Sequence, residues 1–153
     1  LEKSIVKIPN DPDVFGYQLA VNSDEKVVAE VEYLLINAID KSIEEVGGFV
    51  HSLGGIFIPA LIDKGSNSVY SQLGFLPFGL SAEALEVSQN ADASAMAAKD
   101  KSIRGFNFIK SSDAHYPEQI GGAYTLLDIS DVSFSSLKSA LSSTQNPPQY
   151  KTR

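Results

Sequence analysis

The chain contains no cysteine and no tryptophan, one methionine and two histidines among 153 residues. Without cysteine there is no disulfide, no thiolate nucleophile and no thiolate-rich zinc site, so any metal must sit on His, Asp or Glu. Basic residues are also scarce: 12 Lys+Arg against 19 Asp+Glu give a net charge of -7, and the basic residues are scattered along the chain. That distribution lacks the electrostatic footprint of a nucleic-acid surface and disfavours polyanionic partners. No apolar run approaches the roughly 20 residues needed to cross a bilayer. No signal-like segment is present either, so the chain reads as soluble, cytoplasmic and without a membrane partner. The first residue is Leu1 and the lone methionine is Met96, which marks the chain as a possible fragment.

What is there reads as alternating short elements. The opening Ile5 to Phe15 carries Pro9, Asn10 and Pro12 and has turn and loop chemistry. Tyr17 to Val21 and Lys26 to Glu30 flank Asn22-Ser23-Asp24-Glu25, the pattern of a small hairpin. Glu32 to Asp40 is uniformly apolar at its centre, and its length favours a short buried helix. Ser42-Ile43-Glu44-Glu45 is a capping box that opens a helix, with Ile43, Val46, Phe49, Val50 and Leu53 on one face and Gly54-Gly55 as its stop. Ile56-Phe57-Ile58 then suits a strand buried on both faces.

The unit recurs: a helix over Asn67 to Gly74, a strand at Ala84 to Ser88, an Ala-rich helix over Ala91 to Lys101 and a strand at Phe106 to Ile109. A strand at Ala123 to Leu127 and a helix capped by Ser133 follow. Ser142 to Arg153, with Pro147-Pro148, is expected to fray. Helices alternating with short buried strands indicate a parallel α/β sheet forming one domain. About four strands cannot close a (β/α) barrel of about 250 residues, which leaves an arc of a barrel or a small open sheet. In an arc, Ile56 to Ile58 would be an edge strand inviting self-association.

Asp113-Ala114-His115 closes the apolar run Gly105 to Ser112, where a strand gives way to a loop, the place where α/β enzymes keep their chemistry. A carboxylate and an imidazole there are candidate ligands for Zn²⁺, Mn²⁺ or Fe²⁺; the plain alternative is an N-cap Asp with a solvent-facing His. Two ligands alone seldom hold a catalytic ion. Glu86 is either an inward carboxylate near the site or a solvated one. Lys64 and Lys110 follow strand ends and are either phosphate contacts or surface lysines. His51 falls mid-helix and reads as structural or surface. Gly121-Gly122 lacks the spacing of a phosphate-cradling loop and reads as a turn.

Three strings, Leu53 to Ala60, Ala84 to Ser88 and above all Ile109-Lys110-Ser111-Ser112-Asp113-Ala114-His115-Tyr116, resemble the C-terminal half of the PHP (polymerase and histidinol phosphatase) superfamily of metal-dependent phosphoesterases. The resemblance runs from about Ile8 to Leu141. It implies a partial (β/α) barrel of the PHP type, an arc of parallel strands with outer helices whose N-terminal strands are missing. Residues 1–142 would be the C-terminal portion of that domain and 143–153 its frayed tail. It makes Asp113 and His115 metal ligands, with Glu86, Lys64 and Lys110 as supporting or phosphate-contacting residues. It also implies a divalent metal that activates water to attack a phosphoester of a small molecule or nucleotide. Within Pro59-Ala60-Leu61-Ile62-Asp63-Lys64 close relatives carry a ligand histidine where this chain has Leu61, so low metal occupancy is expected. The resemblance therefore supports two functions: part of a phosphoesterase, or a degenerate, non-catalytic scaffold or binding module.

Overall fold

A computed structural model describes residues 2–152. They fall into two compact units, Leu1–Ser42 and Ile43–Arg153, where length had suggested one domain.

In the first unit, Asp11 caps helix α1 (Pro12–Phe15), and Gly16 closes it at a φ of 78° with its N–H on the Pro12 carbonyl. Strands β1 (Leu19–Val21) and β2 (Val27–Glu30) form the expected antiparallel hairpin. The Asn22 side chain accepts from the N–H groups of Asp24 and Lys26, which fixes the turn. Glu32 to Asp40 does not form the expected helix. Its backbone is engaged elsewhere: Leu34 N–H donates to Ile8 and Asp40 N–H to Ser4, while the Gln18 amide donates to the carbonyls of Val31 and Tyr33 and accepts from Leu35. A helix would forfeit those bonds. None of this unit's described side chains is fully buried, and its segments are joined by backbone pairs and by side-chain bonds such as those of Gln18.

The second unit opens with α2 (Ile43–Ser52), directly after Ser42. Gly47 is its buried residue because Phe57 packs on it; a Cβ there would lie 3.0 Å from the ring. Gly54, at a φ of 75°, ends the helix with its N–H on His51. Helix α3 (Val69–Leu73) has a reciprocal Ser68–Ser71 cap and a left-handed Gly74. Strand β3 (Leu85–Glu86) leads through α4 (Ala93–Lys99, capped by Asp92) to β4 (Phe108–Ile109), which pairs with β3 in parallel. Strand β5 (Ala123–Leu126), α5 (Phe134–Leu141, capped by Ser133) and β6 (Gln149–Thr152) complete the unit. Ile62, Leu76, Leu85, Val87 and Ile103 are fully buried, with Phe57, Phe106, Phe108 and Tyr150 packed around them.

Three expectations change here. The arc of parallel strands reduces to the single pair β3–β4; the other two sheets are antiparallel pairs, and no closed barrel forms among the described residues. The tail does not fray at its end, since β6 pairs with β5 from Ala123–Thr152 to Leu126–Gln149 and seats Tyr150 on the core. Ile56 to Ile58 forms no strand, and its edge is not free. Phe57 N–H donates to the Glu83 carboxylate at 2.8 Å and its carbonyl accepts from Glu83 N–H at 3.1 Å. The same carboxylate binds His51 Nε2 at 3.0 Å and Lys138 Nζ at 3.4 Å, so α2, the 56–58 segment and α5 meet on one side chain. Among the described residues, no helix is long and apolar enough to cross a membrane.

Candidate functional site

The loops that leave β3 and β4 line one polar cleft of about 400 Å³, as expected for the C-terminal ends of parallel strands. Ser88, Gln89 and Asn90 come from the first loop, and Ser111, Ser112, Asp113 and His115 from the second. Leu61 and Lys64 enter from the turn before α3, in which Lys64 N–H donates to the Leu61 carbonyl at 3.1 Å. The loops are locked together. The Asp63 carboxylate accepts from Ser88 N–H at 2.7 Å and from its hydroxyl, and the Gln89 amide donates to the Ser112 carbonyl. Gln119 Oε1 accepts from the N–H groups of His115 at 2.7 Å and Tyr116 at 3.2 Å, tying the second loop to the short 3₁₀ turn Pro117–Gln119.

Asp113 and His115 are thus brought to the same cleft, both exposed. Asp113 adopts a left-handed φ of 46°, a conformation Asp tolerates better than most residues. Its carboxylate is bonded by Lys64 Nζ at 2.8 Å, and that hydrogen bond and charge, with a smaller contribution from His115, hold it below the usual carboxylate range. Leu61, also left-handed at a φ of 44°, presents an aliphatic side chain.

The other candidates lie elsewhere. Lys110 is 6% exposed, and its ammonium donates to the carbonyls of Gln89 (2.8 Å) and Ala91 (2.7 Å) while sitting 4.6 Å over the Tyr150 ring. It clamps the first loop and is not among the residues lining the cleft. Glu86 accepts from the Ser111 hydroxyl and supports the second loop without lining the cleft. His51 is engaged by Glu83, outside the cleft. Sequence reasoning missed Asp63, Gln89 and Gln119, polar loop residues with no motif to announce them.

Among the described residues, no three His, Asp or Glu side chains converge on one point. Asp113 is already paired with an ammonium, and Leu61 offers no donor. The residues present do not fit a resident metal.

Residues 90–146 match the family described as PHP-associated. The likeness to that family is confined to this segment, under half of the chain. The match covers β4, the Asp113–His115 loop, β5 and α5, so the resemblance to the PHP superfamily stands. The lesion-specific endonuclease PfuEndoQ from Pyrococcus furiosus superimposes with a TM-score of 0.60 and 23% identity over 68% of this chain and 27% of that one. Endonuclease Q in complex with a 27-mer duplex substrate carrying an abasic lesion at the active site gives 0.59 and 22%, over 69% and 28%. Both likenesses bear on the fold, and the chain spans under a third of either protein's length. No curated protein matches. The expectation that partners exclude nucleic acid, drawn from a net charge of -7, is corrected by these relatives, one of which is solved on duplex DNA. Net charge averages over the whole surface and is silent about a local cleft.

Proposed function

We propose that this chain is a PHP-type nucleic-acid-binding portion whose cleft takes a backbone phosphate without a catalytic metal held by its own residues. The Lys64–Asp113 pair carries this reading: it supplies a cation at the point where a carboxylate and an imidazole would otherwise invite a metal. The remaining lining fits the same ligand. The Asn90 amide, the Ser112 hydroxyl and His115 are donors of the kind that bind phosphate oxygens and position a protein on a backbone without reading bases, while the Ser88 and Ser111 hydroxyls are spent on Asp63 and Glu86. We read the β3–β4 pair with its crossover helix α4 as an arc of the PHP barrel.

A second reading, part of a metal-dependent phosphodiesterase, is favoured by Asp113 and His115 facing one cleft at strand C-termini. It requires metal donors beyond those described.

The test is fluorescence anisotropy with a labelled abasic duplex and its undamaged counterpart at low salt, using the wild type and His115→Ala. The first reading predicts salt-sensitive binding, weakened in the variant, with no strand cleavage in added Zn²⁺ or Mn²⁺. Metal-dependent cleavage would establish the second. Absence of binding to either duplex would overturn the first.

A further inference from the structure

We infer that Lys64 is the cleft's own cation: Asp113 holds its ammonium in place, and the ammonium takes the phosphate oxygen directly, so that binding needs no divalent ion. The inference rests on the proposed phosphate-binding role and adds which group does the binding.

An ammonium has three donor hydrogens. One is used on Asp113 Oδ2 at 2.8 Å, leaving two for a ligand. The pair is partly open, with the two side chains 46% and 43% exposed, so a ligand in the cleft can reach it. The turn from Leu61 to Lys64 fixes where the lysine stem starts. The left-handed backbone at Asp113 fixes where the carboxylate ends. A divalent ion seeking Asp113 and His115 must displace Lys64 or sit beside its charge, and Leu61 gives it no donor in return. Metal and phosphate therefore compete for this cleft through one side chain.

The experiment has two readouts on the full chain, with circular dichroism confirming the fold of each variant. The first is anisotropy of the abasic duplex in EDTA and in Zn²⁺ for wild type, Lys64→Met and Lys64→Arg. The second is calorimetric titration of Zn²⁺ alone into wild type, Lys64→Met and Lys64→Met/Leu61→His. The expected results are duplex binding unchanged by EDTA, reduced in Lys64→Met and largely kept in Lys64→Arg. Zn²⁺ affinity should rise about tenfold in Lys64→Met, the scale set by removing one nearby like charge from a partly exposed site. It should rise further in the double variant. Duplex binding that vanishes in EDTA, or Zn²⁺ affinity equal in wild type and Lys64→Met, overturns the inference. If no form binds duplex yet Lys64→Met gains Zn²⁺ affinity, the phosphate-binding function fails while the competition between Lys64 and metal stands.

Discussion

Glu83→Ala should destabilise the second unit more than any single change in the cleft. The Glu83 side chain is 9% exposed and serves three partners at once: Phe57 N–H at 2.8 Å, His51 Nε2 at 3.0 Å and Lys138 Nζ at 3.4 Å. Burial by itself would raise its pKa, yet the Phe57 N–H, His51 and Lys138 together bring it below the ordinary glutamate value. The ionised form is the one the fold prefers. A hydrogen bond to a charged group contributes about 1.5–3 kcal/mol, and a stranded partner adds to the loss, so the alanine variant should lose about 2–4 kcal/mol at pH 7. For a unit of this size that is about 8–16 °C in Tm. Because the folded pKa is depressed, this contribution is present above the unfolded pKa and disappears as pH falls through the folded one. The gap between wild type and Glu83→Ala should therefore close as pH falls from neutral through and below the ordinary glutamate range. Urea denaturation followed by circular dichroism across that range measures it. A variant within about 0.5 kcal/mol of wild type at pH 7, or a gap unchanged at low pH, would refute the reasoning.

Lys110→Met should shorten duplex binding lifetimes without removing a ligand contact, because the carbonyls of Gln89 and Ala91 lose their donor and the first cleft loop loosens; stopped-flow dissociation reads this. Its stability cost, about 1–3 kcal/mol for stranded carbonyls, is partly offset by removing a buried charge. Deleting residues 149–153 should lower Tm clearly, since β6 pairs with β5 along four residues and Tyr150 packs on the core; an unchanged Tm would restore the frayed tail. Gly47→Ala should cost about 1–3 kcal/mol, as the added Cβ meets the Phe57 ring at 3.0 Å, whereas Gly48→Ala, in the same helix with open space around it, should stabilise by about 0.5–1 kcal/mol through helix propensity alone.

Elements whose signals are local were legible in the sequence. The hairpin turn around Asn22, the Ser133 cap and the Gly54 stop each depend on residues within a few positions. Elements whose hydrogen bonds go far along the chain were not. Glu32 to Asp40 is pulled out of a helix by Gln18 and by residues 4–10, and Phe57 is paired by a side chain 26 positions away. β6 finds its partner in β5, across α5. The site divides the same way. The Ser-Ser-Asp-Ala-His string announced Asp113 and His115, and both face the cleft. That Lys64 would reach Asp113 across 49 positions, and that Lys110 would turn inward onto carbonyls, depends on tertiary packing that no local pattern encodes.

If, as proposed, a cation built into the chain and no resident metal makes this cleft a phosphate site, Lys64 must carry the binding. The most direct measurement is the anisotropy titration of an abasic duplex in EDTA, wild type beside Lys64→Met. The wild type should bind saturably, with binding weakened by rising salt and lost or sharply reduced in the variant. Equal binding by both proteins, or wild-type binding that appears only when a divalent metal is added, would contradict it.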